Sequence, residues 1–167
     1  FKSGGATQLA EFDAIMERAV QEGKQWDIDE LLKNLKTFTR SFQRRNIRFL
    51  GVANLDVFAD RSNYIFGRSE VNGAYGMISC RRFTADFNGD TPNRKRLVER
   101  TVKQVLSSYG SMLGAPRCSM PTCARAYPHN LEEHDAKSSE LCAACRDCFE
   151  KALGVKLKRP EKTPNPD

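Results

Sequence analysis

Apolar residues recur at helical spacing in three long stretches of the chain, which predicts three amphipathic helices. The first spans Thr7–Gln21. The second begins near Asp27 or Asp29, either of which suits a helix N-cap, and the third is opened by Pro92 and stopped by Gly114. The apolar positions are, in chain order, Leu9, Phe12, Ile15, Met16, Val20; Ile28, Leu31, Leu32, Leu35, Phe38, Phe42; and Leu97, Thr101, Val102, Val105, Tyr109, Met112, Leu113.

Three shorter stretches between the second and third helices have the composition of strands. They are Ile47–Val52, Tyr64–Phe66 and Tyr75–Phe83. Beyond Gly114 the pattern predicts a short helix over Leu131–Ala136 and a last helix over Cys145–Leu153. No internal repeat is visible, so the elements belong to one non-repetitive arrangement.

Composition is that of an ordinary soluble globular chain, with 40% hydrophobic and 29% charged residues among 167. No apolar run is long enough to span a bilayer, and no signal-peptide pattern is present. The net charge of +6 and the pI of about 9.1 favour anionic partners, such as nucleic acid or acidic protein surfaces, only weakly. Charge therefore does not assign a function by itself.

Two close cysteine pairs follow the third helix. Cys118 and Cys123 are separated by four residues, and Cys142 and Cys145 by two. Four thiolates from two closely spaced cysteine pairs are the usual ligands of a structural zinc, so we expect one structural Zn²⁺. Because zinc binding needs reduced cysteines, we also expect a reducing compartment. Two competing ligands stay open: Cys148, which makes a second CxxC with Cys145, and His134.

The cysteine pattern and the order of elements resemble the archaemetzincins, a family of zincin metalloproteases. Their signature is HExxHxxGxxHC, four residues, CxM, and a CxxC further on. Other stretches that resemble the family are FLGVANLDVF, NYIFGRSEV and LEEHDAKS, and the likeness spans roughly residues 45 to 150. The resemblance implies an α+β, zincin-like (metzincin) fold, in which a small mixed β-sheet packs with helices beside a C-terminal, four-cysteine zinc-binding subregion.

Aligning Cys118 with the signature cysteine fixes the register of the catalytic motif. The first His, the Glu, the second His and the third His fall on Ser107, Ser108, Ser111 and Arg117, and the methionine of CxM falls on Arg125. Serine hydroxyls are poor zinc ligands, a guanidinium repels a metal ion, and no carboxylate is left to act as a base. These degenerate positions predict that the chain is not an enzyme; a zinc metallopeptidase with rearranged ligands stays as an alternative.

We therefore expect a non-catalytic structural or scaffold subunit of a larger assembly. Its parts are an N-terminal helical extension (1–26), an archaemetzincin-like domain (27–153) with the four-cysteine site, and a Pro-rich tail (154–167). The helix and the tail are expected to contact other protein subunits. A basic chain with reduced thiols favours the mitochondrial matrix over cytoplasm or nucleus. The alternative is RNA binding through Arg40, Arg44, Arg45, Arg48, Arg81, Arg82, Arg94, Lys95, Arg96, Lys156, Lys158 and Arg159.

Overall fold

The computed structural model describes residues 24–44 and 46–158. The predicted helix Thr7–Gln21 and most of the Pro-rich tail lie outside this part of the chain. The elements are β1 (Gln25–Asp27), α1 (Ile28–Thr39), a 3₁₀ turn (Arg40–Phe42), β2 (Phe49–Ala53), β3 (Asp56–Phe58), β4 (Gly67–Ser69), β5 (Tyr75–Ser79), a 3₁₀ turn (Arg81–Phe83), α2 (Ala85–Asn88), α3 (Arg94–Met112), α4 (Leu131–Ala136) and α5 (Ala143–Leu153).

The strands form two small sheets. In the larger, the order is β2-β5-β4, with β2 parallel and β4 antiparallel to β5. In the smaller, β1 runs parallel to β3. The mixed sheet and its packed helices agree with the expected α+β, zincin-like fold. The strand order leaves β4 at one edge of the larger sheet.

Helix α1 builds the main hydrophobic core against both sheets. Asp27, one of the two N-caps that the sequence allows, caps it by accepting a hydrogen bond of 2.8 Å from the Asp29 backbone N–H. Ile28, Leu31 and Leu32 are buried. They pack with Val57 of β3, with Leu55 and Ala59 on either side of that strand, and with Met77 of β5. The predicted apolar stripe does not extend to the helix end, because Phe38 is exposed to solvent there.

Helix α3 buries several polar side chains, and the apolar stripe predicted for it is found only in part: Met112 and Leu113 are buried, but Val102 is exposed. Arg100, Lys103 and Gln104 are buried, whereas Val98 and Val102 are exposed. The buried cations are accommodated because partner groups from α4 and nearby loops reach them, as described below. The helix contacts β4 and β5 and forms one wall of the cleft beside β4.

Most other predicted boundaries hold within a few residues. α4 has the predicted bounds, and α5 starts two residues earlier than expected, at Ala143. The prediction of a strand over Tyr64–Phe66 is displaced, because β4 forms over the next three residues instead. Within the described residues, no helix combines the length and the apolar character that crossing a bilayer requires.

Candidate metal centre and adjacent cleft

The structure brings Cys118, Cys123, Cys142 and Cys145 together. Their sulfur atoms all lie within 4.8 Å of one another, and the Cys118 and Cys142 sulfurs are 3.7 Å apart. Tetrahedral Zn–S bonds of about 2.3 Å place sulfur atoms about 3.8 Å apart, so this set fits a zinc ion. It is the one group of three or more such ligands found in residues 24–44 and 46–158.

Local structure explains why these four cysteines converge. Cys118 lies in the loop after α3, where it forms a parallel bridge with Ala126. Cys123 lies in the following turn, and its sulfur is 3.4 Å from the backbone nitrogens of Arg125 and Cys142. Cys142 is the N-cap of α5 and Cys145 occupies its first turn. The centre therefore joins the loop after α3 to the start of α5.

The surroundings shift the pKa values of the cysteine thiols in different directions. The Cys145 backbone N–H at the start of α5 lowers the pKa of Cys142 to about 7. Burial raises the pKa of Cys118 and of Cys145. A bound metal ion deprotonates its thiol ligands outright. The positive charge of zinc would then stabilise thiolates that are buried away from water.

The two alternative ligands lie outside the group of four. Cys148 is not part of it. His134 is fully buried elsewhere: its ring stacks on Phe83 with centroids 4.7 Å apart, and its Nε2 is 3.0 Å from the Arg100 carbonyl oxygen. Burial, together with the positive charge of Lys137, lowers the pKa of His134 to about 4. Its role is therefore in the packing of α4 on α3.

Two buried cations lie next to the cysteines, and neither is a residue for which the sequence predicts a role. Arg125 donates hydrogen bonds of 2.9 Å to the carbonyls of Ala115 and Pro116, and its Nη1 lies 3.5 Å from the Cys145 sulfur. Lys137 donates to two carbonyls of the cysteine loop at 3.2 Å. Neither position follows a periodic pattern, so no signal in the sequence marks it as buried.

Residues of both β4 and α3 line a cleft of about 460 Å³. Its lining includes Ser107, Ser108, Ser111 and Arg117, so the structure gathers the four degenerate positions at one site. The Ser108 hydroxyl accepts a 3.4 Å hydrogen bond from the Gln104 amide, and the Ser111 hydroxyl donates to the Ser107 carbonyl. The guanidinium of Arg117, an exposed residue, lies 4.5 Å from the centre of the Tyr127 ring.

The cleft residues on α3 do not fit a zinc ion. They offer hydroxyls and an amide, whereas a zinc site needs three imidazole, thiolate or carboxylate ligands with matched spacing. His129 also lines the cleft, but the described residues hold no group of three such ligands there. The four-cysteine group is the metal site that this part of the chain supports.

Comparison with known proteins decides the family. The family model described as peptidase family M54 matches residues 8–151. The chain belongs to peptidase family M54. It is 32% identical to an archaemetzincin of Pyrococcus horikoshii, over 62% of this chain and 55% of the relative. It is 28% identical to an archaemetzincin of Sulfolobus acidocaldarius, over 74% of this chain and 67% of the relative.

Two solved structures have the same fold as this chain. The crystal structure of archaemetzincin from Methanopyrus kandleri matches with a TM-score of 0.67 and 25% identity, covering 83% of this chain and 72% of that one. A zinc-dependent peptidase from Methanocorpusculum labreanum matches with a TM-score of 0.70 at 23% identity, covering 77% and 76% of the two chains. The chain spans about half the length of the first curated relatives it matches.

These findings confirm the resemblance to archaemetzincins and correct one prediction. The prediction that the chain is not an enzyme is contradicted, because the family is one of peptidases and its relatives are named archaemetzincins. The prediction rests on ligand types at four positions, which test only a metal held by α3 and the loop after it. They do not test chemistry supplied by other residues of the cleft. The expected partner subunits and compartment stay predictions.

Proposed function

We propose that this M54 protein recognises extended polypeptide segments in the cleft between β4 and α3. The observation that supports this most directly is the position of β4. It is the edge strand of its sheet and it lines the cleft, so a bound peptide can add to the sheet as a further strand. Membership of a peptidase family agrees with a polypeptide substrate.

The register of β4 indicates which backbone groups are available. The backbone N–H of Ser79 donates to the Phe66 carbonyl and that of Glu70 donates to the Tyr75 carbonyl. Because partners in an antiparallel ladder alternate, the intervening Gly67 and Ser69 direct their backbone groups away from β5. Two donors and two acceptors therefore face the open side of the strand.

Charge in the cleft favours acidic peptides. Three arginines line it, Arg68, Arg117 and Arg125, against one carboxylate, Asp60. Arg68 is paired with Asp29, whereas Arg117 is exposed and stacks on the ring of Tyr127. A peptide carboxylate is the group that an exposed guanidinium beside an aromatic ring is best placed to bind.

The test is binding of a fluorescein-labelled peptide of about ten residues with alternating Glu and Val, which favours an extended conformation. Ser69→Pro removes one outward-facing N–H and should weaken binding by about tenfold. Ser69→Ala keeps that N–H and should bind within about twofold of wild type. Wild type that does not bind, or Ser69→Pro that binds as wild type does, would contradict the proposal. Cleavage of the peptide is followed by chromatography in the same samples.

Partners of the whole protein are proposed to be other protein subunits. Several arginines considered as RNA contacts are engaged within the chain, which supports protein over RNA. Arg81 pairs with Asp86, and Arg82 pairs with Asp56 at 2.6 Å. Gel-filtration of the purified protein with and without ribonuclease treatment distinguishes the two, because only an RNA complex loses mass on digestion.

A further inference from the structure

Arg125 is the buried side chain that lies between the cysteine centre and the cleft. Only 4% of its surface is exposed. Its Nη1 lies 3.5 Å from the Cys145 sulfur and donates to the Pro116 carbonyl at 2.9 Å, and its Nη2 donates to the Ala115 carbonyl at 2.9 Å. Ala115 and Pro116 line the cleft, as Arg125 itself does. One guanidinium thus contacts both a candidate zinc ligand and the loop that follows α3.

Helix α3 has a glycine at the point where Arg125 packs against it. A Cβ atom placed on Gly110 of α3 would overlap the Arg125 Nε, and it would lie within 2.8 Å of Cζ and Cδ. The Nε is buried and has no hydrogen-bond partner in the described structure. Glycine within a helix costs up to about 1 kcal/mol relative to alanine, and at Gly110 it leaves the space that the Arg125 side chain fills.

The charge of Arg125 needs a counter-charge in this environment. A guanidinium does not lose its proton in proteins, and a buried unpaired cation is costly. Four thiolates around Zn²⁺ carry a net charge of about −2 beside the guanidinium, and this charge is held in place by the metal. Arg125 is therefore better stabilised beside a zinc-loaded centre than beside an empty one.

We propose that Arg125 couples zinc occupancy of the four-cysteine centre to the position of the loop 114–117 that lines the cleft. In the zinc-loaded protein, the guanidinium is fixed by Cys145 and holds the Ala115 and Pro116 carbonyls. When zinc is lost, the counter-charge is lost and the loop is released. The consequence for peptides rests on the proposed function of the cleft, but the coupling itself does not.

The primary test is hydrogen exchange of the Gly114 and Ala115 amides in zinc-loaded protein. Both amides are hydrogen-bonded to the last turn of α3, to Ser111 and Gly110 respectively. Arg125→Met, which introduces the residue of the family signature, should accelerate their exchange about tenfold, because the loop loses its anchor. It should also weaken zinc binding by about tenfold in a chelator competition, as loss of an outer partner of a metal ligand does.

Arg146→Met is the matched control. Arg146 is the neighbour of Cys145 in sequence, but its side chain donates to the Lys158 carbonyl rather than to the cleft loop. It should change neither the loop exchange nor the zinc affinity. If Arg125→Met fails to fold, Arg125→Lys keeps the charge but cannot reach all three partners, so it should show the same loop release. Unaltered exchange in the Arg125 variants, or an equal change in Arg146→Met, would overturn the proposal.

Peptide binding then separates this inference from the proposed function. Zinc-loaded wild type should bind the acidic peptide, and Arg125→Met should bind it more weakly while Ser69→Ala does not. A wild type that binds no peptide but shows the predicted exchange difference refutes the peptide function alone. A wild type that binds peptide but whose Gly114 and Ala115 amides exchange equally fast with and without zinc refutes the coupling alone.

Discussion

At the scale of single residues, this protein buries charged and polar side chains against backbone carbonyls. Lys103 donates to the Asp135 carbonyl at 2.9 Å, and Lys137 donates to the carbonyls of Ala124 and Ala126. Burial, followed by the charge of Lys103, lowers the pKa of Lys137 to about 8. Carbonyl oxygens satisfy the ammonium donors but only partly replace water, so each of these groups has a stability cost.

His134 should make the protein sensitive to mild acid. Its pKa is about 4 in the folded state and near 6.5 when unfolded, so the unfolded chain binds the proton first as pH falls. The folding stability that depends on a neutral His134 is fully present above pH 6.5 and is lost progressively as the pH falls to 4. We expect about 2 kcal/mol of unfolding free energy to be lost between about pH 7 and pH 5 through this group.

Urea unfolding of zinc-saturated protein at the two pH values checks this. His134→Phe should remove the His134 share of the acid loss, because a phenyl ring in the same aromatic environment does not titrate. His129→Gln, at the other histidine of the chain, should retain it. If His134→Phe and wild type lose the same free energy on acidification, the explanation is incorrect.

Gly110→Ala should destabilise the protein, although alanine normally favours a helix. The added methyl overlaps Arg125, and the guanidinium cannot move without leaving its carbonyl partners. We expect a loss of about 2 kcal/mol, the usual cost of overpacking. In a double-mutant cycle with Arg125→Met the penalty should largely disappear, since the flexible thioether can yield. Additive penalties would contradict a direct clash.

At the scale of elements, α4 links α3 to the cysteine loop. Asp135 accepts two hydrogen bonds from Arg100, at 2.7 and 2.5 Å, and Arg100 also donates to the Phe83 carbonyl. Burial raises the pKa of Asp135, but the hydrogen bond and charge of Arg100 outweigh it and leave the pKa below the usual value. The ion pair explains why α3 can bury its polar face.

Asp135→Asn should cost about 2 kcal/mol of unfolding free energy. Arg100 is nearly fully buried and would lose its counter-charge, whereas Asp135 is partly exposed, which reduces the cost below that of a fully buried pair. Glu132→Gln, at an exposed position of the same helix, is the control and should be near neutral. Chemical denaturation of both variants at neutral pH measures the difference; equal stabilities would refute this role of α4.

At the scale of the molecule, the four-cysteine centre joins the loop after α3 to the start of α5. The loop from Cys118 to Cys142 contains α4 and little apolar core of its own. Its attachment therefore depends on the metal, on the Arg100–Asp135 pair and on the buried lysines. Structural zinc sites supply on the order of 10 kcal/mol in small modules, enough to hold such a segment.

Purified protein should contain one zinc per chain, measured by elemental analysis. Cys118→Ser should lose the metal and unfold at a lower temperature, because one of four thiolates is gone. Cys148→Ser should keep both the metal and the melting temperature of wild type, since Cys148 is outside the group. Zinc loss in the Cys148 variant would show that the ligand set differs.

The sequence alone determined the helix ends and the cysteine pairs that depend on local spacing. The N-cap at Asp27, the bounds of α4 and the two cysteine hooks follow from neighbours in the chain, which local rules describe well. The family resemblance assigned Ser107, Ser108, Ser111 and Arg117 to one site, and the fold places all four along one cleft.

Tertiary structure decided which faces are buried and what the cleft contains. Val98 and Val102 of α3 are exposed while its cations are buried, because Asp135 and distant carbonyls compensate charges that no local pattern reveals. Arg125 acquires its position from contacts with Gly110, Ala115 and Cys145, which meet only in the folded chain. Long-range pairing of a buried charge has no periodicity, and for that reason it could not be predicted from the sequence.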